Sequence, residues 1–463
     1  MSNDPLSRQD KSVTRRQALK TIGGALAATA LASSFPNLLF AGDKRPNIIF
    51  ILSDDHRWDM LGSMGHPFIQ TPHLDRLAEG GVLFSNAFVT TSLCSPSRGS
   101  FITGEYAHKH GVKNNITPWN DTNITFLELL KQVGYDTAFI GKWHMPGKLP
   151  ELRGVDEFIT FTVQGGQGRY YNCPLIIDGR EVPSRKPYIT EDLTDYALDF
   201  VSQKRYNPFC LYLSHKAVHH QFLPPPETKG MYKGVDLNLP PESDPWITWS
   251  RGSIWYGLLG PMDLHFRMYC EALAALDQQI GRVLDKLDEL GITDNTIVIY
   301  AGDNGYFWGE HHLVDKRWPY EESIRVPLIV RYPEYTRYPG RKAGQMVLNI
   351  DVAPTILDMA GIAVPSGMDG MSIAPILKNP DASWRKAWLY EYFKDYPYQV
   401  PEMFAVRTDR HKYIEYQGRK KAELFDILKD PLEMHNLMNT PEGERIQPGL
   451  KKMLEHLKKG GQL

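Results

Sequence analysis

Leu93-Cys94-Ser95-Pro96-Ser97-Arg98-Gly99-Ser100-Phe101-Ile102-Thr103-Gly104 is the stretch on which the reading of the chain turns. Ser95 can cap a helix, Pro96 suits a first helical position and Gly104 can end one, so the pattern predicts a short helix with Cys94 just outside its start. Amide groups at such an end attract anions. The helix dipole and Arg98, one turn on, are both expected to lower the pKa of the Cys94 thiol and to favour an oxyanion beside it. The local chemistry is a reactive side chain next to an anion site.

Neighbouring stretches supply partners for that site. The run 46–52 is largely apolar, as a buried parallel strand is, and leads into Ser53-Asp54-Asp55-His56. Ligands of open α/β sheets bind beyond the carboxyl ends of strands, so Asp54 and Asp55 are candidate metal ligands. Adjacent carboxylates repel unless a cation or proton joins them. A second strand, 136–140, ends in Gly141-Lys142-Trp143-His144. Lys142 offers an oxyanion a fixed positive charge, and His144 a proton that titrates near neutrality. The strand 208–214 runs into His215-Lys216-Ala217-Val218-His219-His220. The strand 295–301 delivers Gly302-Asp303-Asn304-Gly305, where Asp303 and Asn304 are hard oxygen donors suited to calcium or magnesium. Helices are expected at 71–78, 125–132 and 268–290, and a strand over 82–88. Beyond Gly370, four short strands at 386–392, 403–408, 412–416 and 422–425 precede a helix over 440–458.

Residues 94–98, Cys-Xaa-Pro-Ser-Arg, followed by Thr103-Gly104, resemble the signature of type I sulfatases. Asp54-Asp55, Gly141–His144, and the segments 309–316 and 320–327 resemble further motifs of that family, in the same order. The resemblance implies an α/β, alkaline-phosphatase-like fold, a large mixed sheet sandwiched by helices with a smaller C-terminal antiparallel sheet plus helix. It implies conversion of Cys94 to formylglycine by a maturation enzyme, the hydrated aldehyde being the nucleophile. It further implies a calcium ion, with magnesium the lesser choice, held by Asp54, Asp55, Asp303, Asn304 and the modified Cys94. Arg98, Lys142 and Lys316 would then meet the sulfuryl oxygens, with His144 as base. His219 takes the place of the acid that protonates the leaving group. Val218 stands where the family often has proline, which leaves His215 and His220 as alternatives. The substrate implied is a sulfated carbohydrate, with the run 213–217 resembling N-acetylglucosamine-6-sulfatases. A phosphonate or phosphate diester hydrolase and an inactive carbohydrate-binding relative are the competing readings.

At 463 residues and 42% hydrophobic content the chain can bury a large core. Its formal charge of -2, without a long basic run, argues against nucleic acid as a partner. Four cysteines are too few for a disulfide framework, and Cys173, Cys210 and Cys270 are expected as buried free thiols. Arg15-Arg16 precedes an apolar run, 21–31, too short to span a bilayer; this resembles a twin-arginine export signal, cleaved after Ala32 or Ala41. It implies the twin-arginine machinery as a partner, a periplasmic or secreted location and no membrane span in the mature form. The expected division is signal and linker over 1–42, catalytic domain over 43–375 and C-terminal subdomain over 376–463. The proline- and tryptophan-rich segment 223–255 is expected to be poor in regular structure.

Overall fold

Alternation within the apolar runs sorts their side chains between two cores. In Asn47–Ser53 (β1), Ile49 and Ile51 join one buried cluster, and Ile48, Phe50 and Leu52 the other. Only a strand covered on both faces needs apolar residues pointing both ways. The computed structural model describes residues 45–150, 152–203, 206–240, 261–419 and 421–461. The expected export signal and the tryptophans of the 223–255 segment lie outside them.

β1 is central in a ten-stranded sheet. The others are Val82–Phe84 (β2), Asp136–Gly141 (β3), Glu157–Thr160 (β4), Leu175–Ile177 (β5), Arg180–Val182 (β6), Phe209–Ser214 (β7), Thr296–Gly302 (β8), Leu328–Arg331 (β9) and Arg341–Ala343 (β10). Their order is β10-β2-β9-β8-β1-β7-β3-β4-β5-β6. β8, β1, β7 and β3 run parallel, while β9 is antiparallel to β8, so the sheet is mixed. The parallel register aligns Ser53 with Gly302, Leu52 with Ser214 and Ser214 with Gly141. Four strand ends therefore open on one edge.

Helices Pro72–Glu79 (α1), Ile189–Ser202 (α4) and Met262–Glu289 (α5) cover one face of the sheet. Cys94–Thr103 (α2), Phe126–Gln132 (α3) and Val352–Met359 (α6) cover the other. A four-stranded antiparallel sheet follows: Ala387–Tyr392 (β11), Met403–Thr408 (β12), His411–Tyr416 (β13) and Ala422–Asp426 (β14). Leu450, Leu454 and Leu457 of the helix Pro441–Lys458 (α7) pack on one of its faces. Tyr390, Met403 and Ile414 of the other face pack against Phe88, Leu93 and Phe307.

Several local expectations are corrected. Cys94 is the first residue of α2, not a residue outside it, and the cap is Leu93 with extended backbone. The Ser95 hydroxyl does not cap; it donates to His144 O at 2.5 Å. Gly104 does end the helix, with φ +71°. The expected strand 82–88 breaks at Ser85-Asn86, and Ala87–Phe88 pairs instead with Val347–Leu348. α5 starts at Met262, six residues before the expected start, because His265 and Phe266 extend its buried face. All four cysteines are free and buried. Among the described residues no helix is long and apolar enough to cross a membrane.

Candidate active site

Gly141 sets the geometry at the end of β3. Its φ is +117°, and a Cβ there would collide with Ser214 O of β7, so only glycine lets the two strand ends close together. Lys142 N donates to Ser214 O at 2.8 Å, and the buried side chain reaches Asp54 and Gln167. From the opposite face, α2 carries Cys94 and Arg98 into the same space, with every residue of the helix buried.

The predicted residues converge. Cys94 Sγ lies 3.7 Å from Asp54 Oδ1. Lys142 Nζ pairs with Asp54 Oδ2, and Lys316 Nζ with Asp55 Oδ1. Arg98 donates through Nε to Asp303 Oδ2 at 2.9 Å, and through NH1 to Lys142 O at 2.9 Å and Ser214 Oγ at 2.6 Å. Asp55 N donates to Asp303 Oδ1 at 3.0 Å, and Asn304 Nδ2 to Asp55 Oδ1 at 2.5 Å. His219 Nε2 stands 3.9 Å from Asp55 Oδ2. His215 is fully buried, lacks a hydrogen-bond partner on either ring nitrogen among the described residues and does not line the pocket, whereas His219 and His220 do. His144, with φ +48°, sits behind Cys94 through the contact of its carbonyl with Ser95.

The donor set fits a hard cation. One oxygen each of Asp54, Asp55 and Asp303 lie within 4.8 Å of one another. Asp55 Oδ2 and Asn304 Oδ1 are buried and have no hydrogen-bond partner among the described residues. Buried polar oxygens without donors carry a desolvation cost, which an oxygen-seeking divalent ion such as calcium or magnesium would offset.

Three carboxylates and three cations share this buried volume. Burial opposes the Asp54 charge, yet the Lys142 and Arg98 charges hold its carboxyl well below the usual range. Burial pushes Asp55 up to about 7 against the pull of Lys316, with Asp54 and Asp303 adding to the rise. Burial, then the Lys142 charge, drives both His144 and His219 well below the ordinary histidine range, so both imidazoles are neutral. Cys94 reverses its expectation: burial pushes the thiol up to about 12, outweighing Lys142 and Lys316. A fully enclosed sulfur gains less from a dipole than it loses in hydration.

A pocket of about 360 Å³ opens over Cys94. His219, His220, Lys216, Lys316 and Arg317 line it with the amides Asn115, Gln164, Gln167 and Gln221. Reading the sequence alone missed Gln167, which accepts from Lys142 Nζ at 2.7 Å, and Ser214, which joins Arg98 to Lys142 O. It also missed Arg317, whose guanidinium lies 3.5 Å from the Tyr398 ring centre and 3.3 Å from Asp395 Oδ2. The signal available for Ser214 was its place at a strand end; Gln167 lies in a glycine-rich loop that gave none.

Comparison with known proteins agrees with this geometry. Residues 46–362 match the family described as Sulfatase, and residues 309–460 match the family described as N-sulphoglucosamine sulphohydrolase, C-terminal. The chain is 33% identical to an N-acetylglucosamine-6-O-sulfatase of Bacteroides thetaiotaomicron, over 94% of this chain and 90% of that protein. It is 32% identical to the human N-acetylglucosamine-6-sulfatase, over 81% of this chain and 70% of the relative. A protein solved in complex with its substrate D-glucosamine-2-N,6-O-disulfate superposes with TM-score 0.83 at 31% identity, covering 90% of this chain and 98% of that one. The phosphonate monoester hydrolase of Agrobacterium radiobacter shares the fold, at TM-score 0.74 and 21% identity, over 90% of this chain and 96% of that one. With the mixed sheet and its cluster of strand-end carboxylates, these matches place the chain in the sulfatase family.

Proposed function

We propose that this sulfatase hydrolyses a sulfate ester on an amino-sugar-type carbohydrate, with position 94 as the nucleophile. The observation that carries the reading is the meeting of Cys94 with Asp54, 3.7 Å apart, beneath a pocket served by Arg98, Lys142 and Lys316. The relatives named N-acetylglucosamine-6-sulfatases support the substrate class.

Asp54, Asp55, Asp303 and Asn304 would hold a calcium ion, with the side chain at position 94 facing it. When present, the cation supplies Lewis-acid polarisation of a sulfate oxygen, and oxidation of Cys94 to formylglycine supplies an attacking hydroxyl in the aldehyde hydrate. Arg98, Lys142 and Lys316 stabilise the charge that develops on the sulfuryl oxygens, inside a site where burial strengthens each contact. His219 delivers a proton to the departing alcohol oxygen; a bound sulfate beside it adds the negative charge that raises its proton affinity. His144, neutral in this setting, accepts a proton as the sulfate is released. The division near residue 375 belongs to the same proposal, with the C-terminal part walling the pocket through Tyr398. Export by the twin-arginine route, supported by Arg15-Arg16, would bring the enzyme to its polymers.

The test is sulfate release from N-acetylglucosamine 6-sulfate by protein co-expressed with a formylglycine-generating enzyme, alongside an aryl phosphodiester. Intact mass of the Cys94 peptide reports conversion. The expected result is sulfate release that falls at least a thousandfold in Cys94→Ala. Full activity in that variant, or phosphodiester turnover exceeding sulfate turnover, overturns the reading.

A further inference from the structure

Lys216 stands apart from the other cations of the pocket. Lys142 and Lys316 each rest on a carboxylate, and Arg317 pairs with Asp315 and Asp395. Lys216 is equally enclosed, at 1% exposure, and it lines the pocket beside Cys94 and His219. Among the described residues it has no carboxylate partner. Its ammonium lies 4.8 Å from the centre of the Tyr170 ring instead. That ring is fixed in turn, because the Tyr170 hydroxyl donates to His219 O at 2.8 Å.

An ammonium withdrawn from water without a counter-charge is unfavourable unless something else compensates it. A cation–π contact compensates only in part. Burial, followed by the Lys142 charge, pushes the Lys216 pKa down to about 8, against the weaker pull of Asp54 and Asp55, neither of which pairs with it. Arg98, Lys142 and Lys316 already supply three positive charges around position 94, enough for one sulfate.

Resting on the amino-sugar reading above, we infer that Lys216 binds a second anionic group on the sugar that carries the scissile ester, such as an N-sulfate or a carboxylate. Pocket amides from Asn115, Gln164 and Gln221 offer neutral hydrogen bonds to the hydroxyls of the same ring. Lys216 is thus a specificity residue that separates doubly charged from singly charged sugars.

The experiment measures kcat and KM of the matured enzyme on D-glucosamine 2-N,6-O-disulfate and on N-acetylglucosamine 6-sulfate. A 6-sulfated disaccharide with a neighbouring uronic acid gives a third arm, which tells an N-sulfate from a carboxylate. Lys216→Met keeps the hydrocarbon stem over Tyr170 and removes the charge; Lys216→Arg keeps the charge. The expected result for Lys216→Met is a selectivity ratio between a doubly charged sugar and the singly charged one that falls roughly ten- to a hundredfold, chiefly through KM, the size of one charge-assisted contact. Lys216→Arg retains most of the ratio. A ratio unchanged in Lys216→Met, whether both rates fall together or neither falls, overturns the inference and leaves the proposed function standing. If the wild type hydrolyses none of the sugars, the proposed function fails and this inference falls with it. Should Lys216→Met give no soluble protein, binding of the disulfate and the monosulfate to Cys94→Ala, compared with Cys94→Ala carrying Lys216→Arg, decides: a shared preference for the disulfate supports the assignment, and equal affinities overturn it.

Discussion

Arg98 and Asp303 form a buried fork between α2 and the end of β8, with Nε 2.9 Å and NH2 2.8 Å from the same carboxylate oxygen. Because Arg98 also donates to Lys142 O and Ser214 Oγ, one guanidinium joins the helix of Cys94 to three strand ends. Arg98→Met should therefore lower stability by about 3–5 kcal/mol, the usual cost of stranding one member of a buried pair. Arg98→Lys should recover only part, since an ammonium lacks the planar fork. Thermal unfolding of the three proteins checks the order.

Chelation probes the carboxylate cluster. After EGTA treatment, adding calcium should raise the melting temperature, by an amount equivalent to about 2.7 kcal/mol at a hundredfold excess over Kd. Asp55→Ala, which removes both the orphaned Oδ2 and the acceptor for Asn304, should abolish the calcium-dependent rise. A melting curve indifferent to calcium in the wild type counts against a cation at this cluster.

The role assigned to His219 predicts a dependence on the leaving group. A sugar alkoxide needs a proton to depart, whereas a nitrophenolate leaves nearly unaided. His219→Ala should reduce kcat on N-acetylglucosamine 6-sulfate roughly a hundredfold or more and on 4-nitrophenyl sulfate far less. Equal losses on both substrates would remove His219 from the acid role.

Away from the site, His311 couples stability to pH. It stacks on Tyr320 with ring centres 4.0 Å apart, and its Nε2 stands 3.6 Å from Glu322 Oε2. Burial works against protonation, but Glu322, with Glu433 and Glu310 behind it, outweighs burial and raises the pKa above the ordinary 6.5. The protonated form is favoured in the native state, so its contribution is complete below about 6.5 and is lost as pH rises through the folded pKa. His311→Phe keeps the stacking and should flatten the fall in stability between pH 6 and pH 9, as read by urea unfolding at each pH.

The strand ends were legible because chemistry and pattern coincide there. Ile48 to Leu52 could only be a strand covered on both sides, and the carboxylates after it had to face a ligand edge or repel one another. Lys142, Asp303 and Asn304 followed by the same logic. Helix α4 and strands β4 to β6 escaped notice: Arg180 and Glu181 of β6 are exposed, and the strand carries no apolar run. The Cys94 thiol was misjudged for a different reason. Arg98 and the helix start are written in the sequence, but the complete burial of Cys94 that outweighs them arises only when the chain is folded around α2. Lys216 was overlooked because its significance lies in a missing partner, and absences in three dimensions leave no trace in a motif.

The enclosure of α2 imposes an order of events. All ten residues of the helix are buried, Cys94 among them, and Cys94 lines a pocket of about 360 Å³. If position 94 is converted to formylglycine as proposed, the oxidising enzyme would meet this segment as an extended chain, before β1, β3, β7 and β8 close around it. Under that proposal folding acts as a deadline: a molecule that closes too early would keep its thiol, and the yield of active protein would be set by a race between oxidation and closure.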